Sequence, residues 1–535
     1  MKEAMTTKNM KNPIPIKKTI SKKGGLINRD VSNNSLENIS EIQVVQETDN
    51  EAKLTAKLIK KKLAAARSRG EFRTVDLFAG CGGLSLGFDR AGFRSICAVE
   101  LNDDARKSHE LNFGSGPLAE TYRSFADIKS TEPEDAVAHI RNSVNSTELA
   151  ADIVIGGPPC QAFSRLGRAA LWSLAGEKFA HEHDERATMY HYFLHYVATL
   201  KPLAFVMENV REIGKHVGKN IAEEIAVTAE ALGYTTNYTL LNAVWFGVPQ
   251  LRERMFIIGI HKSLKKQPVF PSIQFGYDLP VGYSTSRAGE GSPEVCLPCD
   301  HYVDHCEKTT NPLQATSVST AFADLPPILH HLDGRRGKGH PRSVSNLVEY
   351  EKKSNWFTKE MRTWPRFENK SKLFTGHIIR YTPRDYEIFR RMPHDGMYPE
   401  ALIVAEEIFQ ERLQSYELES GKTIKPGSEE WESIRKAVVP PYKDGRYPNK
   451  FRKMSPEHPS RTLPAHIGKD SYSHIHFDSD QARGISLREA ARIQSFPDAF
   501  NLAGSMNSQL KQIGNAVPPL LAYAVAQEVR RALID

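Results

Sequence analysis

Short apolar runs alternate with stretches of helical character through the first half of the chain. Four of the five apolar runs end in glycine or a carboxylate, and the five lie at residues 74–79, 95–99, 152–155, 203–207 and 255–260. Stretches typical of helices lie between them, at 84–91, 103–112, 187–200 and 218–232. Because strands that alternate with helices form a mainly parallel sheet with helices on both faces, we predict an α/β fold. Polar residues follow the strand ends, where sheets of this kind bind ligands.

The alternation stops near residue 262. The next segment, 263–456, is rich in Pro, Gly, His and charged residues and has little periodicity, which predicts a smaller lobe of irregular structure. Helical stretches return at 486–495 and 518–533, so we expect the chain to re-enter the first domain. The predicted segments are 1–70, 71–262, 263–457 and 458–535.

The net charge of +7 arises entirely in the amino-terminal segment. Residues 1–70 contain 15 Lys and Arg against 7 Asp and Glu, whereas the rest of the chain contains 56 against 57. The first 50 residues have few large apolar side chains, which indicates disorder, and 51–69 has the composition of a helix. We favour a solvated basic helix there. The alternative is an arm that contacts nucleic-acid phosphates.

Composition places the chain among ordinary globular proteins, with 40% hydrophobic and 25% charged residues. No run approaches the roughly 18 apolar residues that a membrane span requires. The amino terminus also lacks the apolar core of a secretory signal. Six cysteines, three of them scattered and three clustered, fit a reducing compartment rather than a disulfide framework. We therefore expect a cytoplasmic protein with no membrane association.

The first motif with chemical content is DLFAGCGGLSLGF, residues 76–88, in which a strand runs into glycines and then a helix. These glycines would let the backbone approach a ligand closely. The pattern fits several nucleotide-type cofactor sites but is not a P-loop, and a tight turn without a ligand is the alternative. Glu100, at the end of the next strand, would suit ribose hydroxyls, and Asp127 could accept from an adenine amino group.

A cysteine and a glutamate follow two further strands. In GGPPCQAFS, residues 156–164, Cys160 comes directly after two prolines, which predicts a rigid and exposed turn. Lone cysteines are usually buried and inert, but this placement favours a nucleophile. In ENV, residues 208–210, Glu208 follows an apolar run, and burial would raise the pKa of its carboxyl and suit it to hold a proton. The alternative is an ordinary carboxylate at a strand end.

Two later motifs complete the set. The segment QLRERMF has a strong donor at every second position, namely Gln250, Arg252 and Arg254, which predicts that the three share one face. Such a face suits the edge of a base or phosphates, and an exposed strand edge is the alternative. The segment QIGNAVPP, residues 512–519, ends a loop and opens a helix at its two prolines.

Together and in this order, the five motifs resemble the cytosine-C5 DNA methyltransferase family. The resemblance covers 71–262 and about 458–533, and the combination of PPCQ, ENV and QxRxR is specific. It implies a Rossmann-like catalytic domain that binds S-adenosylmethionine in 71–262 and 458–535. It also implies a target-recognition lobe at 263–457, across a cleft that holds duplex DNA. The segment 461–478 is similar to the family motif that supports this lobe.

The resemblance implies a role for each motif residue. Cys160 would attack C6 of a cytosine flipped out of the duplex, and Glu208 would bond its N3/N4 edge. Arg254 would contact the O2 edge, and Arg252 would position Cys160 and the substrate. The remaining residues would contact the flipped nucleotide, namely Gln161, Ser164 and Asn209, or form the cofactor site, namely Phe78, Gly80, Gly82, Gly83, Glu100, Asp127, Ile128, Asn515 and Val517.

One segment, CLPCDHYVDHC at residues 296–306, falls outside the family pattern. Its zinc-binding residue types are Cys296, Cys299, His301, His305 and Cys306. Their spacing is typical of zinc ligands, but no second spaced pair follows, so we favour a cluster of reduced thiols over a structural zinc site. The mechanism that the resemblance implies requires no metal.

Three other functions are consistent with parts of the pattern. A tRNA-directed enzyme of the same chemistry would have a short recognition lobe, and a small-molecule methyltransferase would not need the long segment 263–457. An inactive DNA-binding homologue is disfavoured by intact Cys160, Glu208 and Arg254. By analogy with the family we expect a monomeric bacterial modification enzyme, paired in function with a restriction endonuclease.

Overall fold

The computed structural model describes residues 49–114, 121–143, 150–159, 189–215, 219–280, 299–303, 308–332, 345–442, 450–469 and 471–535. The strands are β1 Phe72–Leu77, β2 Phe93–Val99, β3 Arg123–Phe125, β4 Ile153–Gly156, β5 Ala204–Asn209, β6 Tyr234–Asn242, β7 Gln250–Leu251, β8 Glu253–His261, β9 Ile273–Gly276, β10 Lys308–Gln314, β11 Val348–Glu349, β12 Leu373–Phe374 and β13 Ser460–Arg461. The α-helices are α1 Asp49–Arg69, α2 Gly83–Arg90, α3 Asp103–Phe113, α4 Pro133–Val137, α5 Met189–Leu200, α6 Ile221–Ala231, α7 Val318–Phe322, α8 Trp356–Arg362, α9 Tyr386–Arg391, α10 Tyr398–Ser420, α11 Glu429–Lys436, α12 Leu487–Ile493, α13 Met506–Asn515 and α14 Pro519–Ile534. Short 3₁₀ helices lie at Ala138–Ser143, Arg211–Lys215, Ala243–Phe246, Lys262–Leu264 and Ser471–Ser473. None of the helices in these ranges has the length and apolar character needed to cross a membrane.

A seven-stranded sheet with the order β3-β2-β1-β4-β5-β8-β6 forms the centre of the structure. Neighbouring strands are parallel except around β8, which is antiparallel to both β5 and β6. Residues of β4 alternate between two hydrophobic clusters, with Ile153 and Ile155 in one and Val154 in the other. Helices α2 and α14 contribute to the first cluster, and α5 and α6 contribute to the second. The predicted α/β fold with helices on both faces is confirmed.

Burial explains which strands the sequence predicts. Strands β4 and β5 are buried along their whole length, so each begins as a continuous apolar run. The sequence does not predict β6, in which Thr and Asn residues alternate irregularly with apolar ones although Thr236, Thr239 and Asn242 are buried. This strand lies at the edge of the sheet, where one side is less fully covered, and its polar residues hide the strand pattern.

Part of the predicted smaller lobe has a hydrophobic core of its own. Buried aromatic residues of α9, α10 and the following segment, among them Phe389, Phe409 and Phe451, form a third cluster. In contrast, Phe322 and Phe357 also lie in the segment 263–457 but belong to the largest cluster. The separate core is therefore centred on α9 and α10, and the boundary at residue 263 stays a prediction.

The basic helix α1 packs onto the domain rather than standing in solvent, which corrects the interpretation of a solvated helix. Ile59 is fully buried, and Lys62 is only 1% exposed. The Lys62 ammonium donates to the carbonyls of Ala151, Leu200 and Lys201 at 2.7, 2.9 and 2.9 Å. These carbonyls lie at the end of α5 and just before β4, so α1 contacts the edge of the sheet where β4 begins.

We expect Lys62→Met to lower the free energy of unfolding by about 2 kcal/mol or more, because it leaves three carbonyls, two of them buried, without their charged donor. Chemical denaturation of the purified protein measures this change. The matched control is Lys61→Met, since Lys61 is the exposed neighbour on the same helix. Equal unfolding midpoints for the two variants would show that the buried ammonium contributes nothing to stability.

Candidate active site

Residues of the predicted motifs meet at one end of the central sheet, where the parallel strands have their carboxyl-terminal ends. Phe78 follows β1, Glu100 follows β2, and Gly157 follows β4. Glu208 lies near the end of β5, and Arg254 lies near the start of the antiparallel β8. Because β8 runs in the opposite direction, its first residues share an edge with the last residues of its neighbours. The topology therefore brings together the motifs that the sequence analysis selected.

The loop between β1 and α2 has an unusual backbone. Phe78, Gly80 and Gly82 have φ angles of 57°, 56° and 99°, in the left-handed region that glycine adopts most easily. A Cβ atom at Gly82 would come within 2.5 Å of the Phe113 ring, whereas one at Gly80 would meet nothing within 4 Å. The loop is therefore packed tightly on one side and has open space beside Gly80, as a ligand cradle requires.

The carboxyl-terminal segment closes against this loop. A Cβ atom at Gly83 would overlap the backbone carbonyl of Val517, so glycine permits this close approach. Val517 is buried, and Asn515 is exposed at the end of α13. Two predicted cofactor residues thus come from a part of the chain more than 400 residues away, and one of them contacts the predicted glycine loop.

The Glu100 carboxylate holds the glycine loop in place. Its two oxygens accept hydrogen bonds from the backbone N–H groups of Gly80 and Asn102, at 2.9 and 2.8 Å. Burial raises the pKa of Glu100, and these two hydrogen bonds oppose that effect. Asp127 is half-buried and accepts the N–H of Lys129 at 3.0 Å, and Ile128 beside it is buried. Both carboxylates therefore have fixed orientations.

A buried polar network lies beneath the glycine loop, and the sequence analysis did not identify it. The His109 ring contacts the Tyr122 hydroxyl at 2.7 Å and the Ser85 hydroxyl at 3.1 Å. Ser85 in turn donates to Asp76 at 2.6 Å. A Cβ at Gly82 would also lie 3.0 Å from the His109 ring. Asp76 and Ser85 lie within the motif DLFAGCGGLSLGF, whereas His109 and Tyr122 lie outside every motif, so no local pattern in the sequence connects the four.

Glu208 and Arg254 form a largely buried ion pair at the ends of their strands. The distance from Arg254 Nε to Glu208 Oε1 is 2.8 Å, and Glu208 is 9% exposed. Burial raises the pKa of Glu208, while Arg254 and Arg252 oppose that rise. A Cβ at Gly157 would lie 3.0 Å from Glu208 Oε2, so the chain after β4 passes directly beside the carboxyl group.

The segment that leads to Cys160 lies against these residues. Asn209 is buried, and its side-chain N–H donates to the carbonyl of Pro158 at 3.3 Å. Cys160 itself lies outside the described residues, as do Gln161 and Ser164. Their assigned roles therefore stay predictions from the sequence.

Gln250 and Arg252 do not share an open face with Arg254, so that part of the prediction is wrong. Gln250 is fully buried and bonds to the backbone of Ile493 and Leu463 at 3.2 and 2.9 Å. Strand β7 ends before Arg252, because this short strand pairs with β13 rather than continuing into β8. The period-two pattern is therefore interrupted between the two arginines.

Arg252 connects the central sheet to the returning carboxyl-terminal segment. It is 1% exposed, and its Nη1 donates to the carbonyls of Leu463 and Gly514 at 3.3 and 3.1 Å. Gln494 assists from the same segment, since its side chain contacts Gln250 and the carbonyl of Ala516. Arg252 thus fixes the start of β8 to the carboxyl-terminal segment. Arg254 is the arginine of this motif that contacts Glu208.

The described part of the cysteine- and histidine-rich segment binds to α6. His301 Nδ1 lies 2.6 Å from Glu223, and its Nε2 lies 3.5 Å from Glu230. Cys299 is a free thiol. Three residues of the candidate zinc set, namely Cys296, His305 and Cys306, lie outside the described residues. Both ring nitrogens of His301 face carboxylates, and the described ranges contain no cluster of three or more His, Cys, Asp or Glu that could hold a metal ion.

The edge therefore combines a buried carboxyl, a guanidinium that orients it and an adjoining glycine loop with two fixed carboxylates. A buried carboxyl with a raised pKa can hold a proton or donate a hydrogen bond to a heterocycle. The guanidinium presents further donors to the same ligand. Such a pair suits the polar edge of a planar base beside a nucleoside-type cofactor.

Comparison with known proteins agrees with this chemistry. A candidate type II methyltransferase of Oceanobacillus iheyensis, M.OihORF3336P, is 35% identical over 459 residues, which cover 85% of this chain and 95% of that protein. The type II methyltransferase M.AgeI of Thalassovita gelatinovora is 29% identical over 86% of this chain and the whole of that protein.

The fold also matches a solved structure. The crystal structure of a candidate DNA modification methyltransferase encoded within an E. coli prophage superposes with a TM-score of 0.55. The match covers 87% of this chain and the whole of that chain at 20% identity. The model of the family described as C-5 cytosine-specific DNA methylase matches residues 72–531, from the first residue of β1 into the last turn of α14. Since that match extends over most of the chain, the protein belongs to the C-5 cytosine-specific DNA methylase family.

Proposed function

We propose that the protein transfers a methyl group from S-adenosylmethionine to C5 of a flipped-out cytosine in a specific duplex DNA sequence. The observation that carries this proposal is the largely buried Glu208–Arg254 pair, with Arg254 Nε 2.8 Å from Glu208 Oε1, beside the chain that leads to Cys160. A flipped cytosine presents N3, N4 and O2 on one edge. A carboxyl and a guanidinium held together match that edge.

The residues of the glycine loop fit the cofactor. The open space beside Gly80 would admit a nucleoside, Glu100 would accept from its ribose hydroxyls, and Asp127 would accept from the adenine amino group. The Phe78 ring would add an apolar wall. S-adenosylmethionine bound there would supply the methyl group.

Cys160 would start the reaction by bonding through its sulfur to C6 of the cytosine. Electron density then moves to C5, and Glu208 stabilises the product of this addition with a proton or hydrogen bond at N3. After C5 has gained the methyl group, a base removes the C5 proton. The electron pair of that C–H bond restores the 5,6 double bond, and the Cys160 sulfur leaves C6.

Arg254 and Arg252 would serve different purposes in this scheme. Arg254 orients Glu208 and reaches the O2 edge of the base, since it is placed beside the carboxyl. Arg252 is buried among backbone carbonyls and would act by positioning the strand that carries Arg254. Asn209, with Gln161 and Ser164, would contact the flipped nucleotide or hold the Cys160 segment.

We further propose that the segment 263–457 reads the target sequence. Flipping a base costs a few kcal/mol, and contacts to the remaining duplex recover that cost. The core centred on α9 and α10 gives part of this segment a framework of its own. The target sequence would be read by side chains that this framework presents to the DNA grooves.

The names of the relatives support a place in a type II restriction-modification system. Both M.OihORF3336P and M.AgeI bear the name of type II methyltransferases, with M.OihORF3336P given as a candidate. We propose that this chain is the modification half, and that it acts as a monomer in the bacterial cytoplasm. Its methyl groups would protect host DNA from an endonuclease that recognises the same site.

We expect Cys160→Ser to abolish methyl transfer and to leave DNA binding measurable. The experiment traps the wild-type protein on a duplex library that contains 5-fluorocytosine, with S-adenosylmethionine present. Fluorine at C5 blocks the final proton removal, so a working enzyme stays attached through Cys160. Peptide mapping locates the bond, and sequencing of the captured DNA reveals the target.

The same trap distinguishes the other functions. Attachment to fluorinated RNA alone would indicate a tRNA-directed enzyme. No adduct with either nucleic acid would contradict methyl transfer to cytosine. An adduct that persists in Cys160→Ser would show that another residue is the nucleophile.

We expect Glu208→Gln to slow methyl transfer by about 10²–10⁴-fold, the usual contribution of a proton-donating group. Burial raises the pKa of Glu208, so the wild-type carboxyl keeps its proton to a higher pH than an exposed glutamate. The wild-type rate should fall as pH rises through that pKa, and the decline should be absent in Glu208→Gln. A pH–rate profile measured at saturating DNA checks both points, and identical profiles would rule out Glu208 as the group that titrates.

We expect Glu100→Ala to weaken S-adenosylmethionine binding by roughly 10- to 100-fold, the effect of losing a hydrogen bond to a charged group. Titration calorimetry without DNA measures this change independently of turnover. The matched control is Asp103→Asn, since Asp103 is a highly exposed carboxylate three residues later. Similar affinities for the two variants would contradict the proposed ribose contact.

A further inference from the structure

We infer that Arg211 and Glu253 are a positioning pair that holds Arg254 against Glu208. Arg211 lies just beyond the ENV motif, and Glu253 lies within QLRERMF, where the sequence assigns it no role. The inference rests on the proposed function, because it assigns these residues an effect on catalysis through the Glu208–Arg254 contact. It concerns how that contact is maintained where the two strands separate.

Each member of the pair lies close in sequence to a residue of the proposed catalytic pair. Arg211 is three residues beyond Glu208, at the start of the 3₁₀ helix that follows β5. Glu253 directly precedes Arg254, at the start of β8. The distance from Arg211 Nη1 to Glu253 Oε2 is 3.2 Å, and the two side chains are only 7% and 9% exposed. The ion pair therefore bridges the two segments that carry Glu208 and Arg254.

The backbone ladder between β5 and β8 stops just before this bridge. Glu208 is paired with Phe256 in the ladder, and the last pair joins Asn209 to Met255. Arg254 and Glu253 lie beyond that pair, where β8 is paired only with β6 on its other side. The β5–β8 ladder therefore does not extend to the residue that must reach back to Glu208.

The Arg211–Glu253 pair supplies a tie between β5 and β8 beyond the end of that ladder. Glu253 is also linked to Arg254 directly, since Arg254 Nη1 donates to the Glu253 carbonyl at 2.6 Å. The Arg254 guanidinium is thus held at Nη1 by the Glu253 backbone and at Nε by Glu208. Moving Glu253 would move the carbonyl that orients this guanidinium.

Burial makes the tie effective. Two charges with little access to water attract each other strongly and tolerate separation poorly, because each would be left without a partner. A rigid link at the strand ends keeps the guanidinium within hydrogen-bond reach of the carboxyl, where an error of about 1 Å can lower a rate 100-fold. A pair with a purely structural role would affect stability without affecting the catalytic step.

The test compares Arg211→Met, Arg211→Lys and the charge-exchanged protein Arg211→Glu with Glu253→Arg, all as full-length chains. We expect Arg211→Met to lower kcat at least tenfold while KM for DNA changes less than twofold. Arg211→Lys should restore most of kcat, because the ammonium can still reach the carboxylate. The alkaline limb of the pH–rate profile in Arg211→Met should move to higher pH, since Glu208 loses part of the influence of Arg254 that opposes its raised pKa.

A matched control separates positioning from stability. Arg69 pairs with Asp152 just before the start of β4, at the opposite edge of the sheet, and its side chain is 22% exposed. We expect Arg69→Met to lower the unfolding midpoint and to leave kcat and the pH profile unchanged at temperatures where it is folded. If Arg211→Met behaves in the same way, the pair is structural and the inference is overturned.

Crystal structures provide a measurement that does not depend on turnover. We expect the contact between Arg254 Nε and Glu208 Oε1 to lengthen in Arg211→Met and to be kept in Arg211→Lys. Retention of the 2.8 Å contact in Arg211→Met would overturn the inference whatever the activity. Where Arg211→Met fails to fold, the charge-exchanged protein decides. The pair is supported if the kcat of that protein is within twofold of the kcat of Arg211→Lys, and it is overturned if the loss is larger.

The inference and the proposed function can fail separately. A wild-type protein that forms no adduct with fluorinated DNA would contradict the proposed function, and the crystallographic result would still decide the pair. A wild-type protein that forms the adduct, together with an unaltered Arg211→Met, would overturn the pair alone.

Discussion

Keeping the Glu208 carboxyl buried beside the Arg254 guanidinium is the constraint on which the rest of the site depends. An isolated charge in the interior is strongly unfavourable, and the pair is tolerated only where geometry and further hydrogen bonds compensate for lost water. The surroundings meet that requirement in several ways. The Glu253 carbonyl accepts from Arg254, the chain at Gly157 has no side chain to crowd the carboxyl, and β5 is buried along its length.

The same requirement explains why the carboxyl-terminal segment must return to the first domain. Arg252 is buried two residues before Arg254, and the carbonyls of Leu463 and Gly514 accept its hydrogen bonds. Those carbonyls are more than 200 residues away in sequence. Val517 from the same region closes on the glycine loop at Gly83. The proposed cofactor and base sites therefore share one support, and a change in the position of the last helices would affect both.

The sequence predicts those features that reside in local pattern and fails where residues distant in the chain decide the outcome. Strand ends, the glycine loop and the helices on both faces follow from apolar periodicity and from a few glycines and prolines. The burial of Gln250 and Arg252 does not follow, because it depends on β13 pairing with the short β7. His109 shows the same limit, since its two hydrogen-bond partners, Tyr122 and Ser85, come from separate parts of the chain. Helix α1 is another case, as nothing in its local composition distinguishes the buried Lys62 from its exposed neighbour Lys61.

The connection between Arg252 and Gly514 has a consequence for the time at which the enzyme becomes competent during protein synthesis. A nascent chain that has emerged only as far as β8 contains Glu208 and Arg254, but Arg252 lacks the carbonyls to which it is bonded in the finished fold. At about 5–20 residues per second, the ribosome needs on the order of tens of seconds to add the roughly 250 residues that follow. The amino-terminal half alone would therefore lack a supported site, and translation products that end early should be unable to modify DNA.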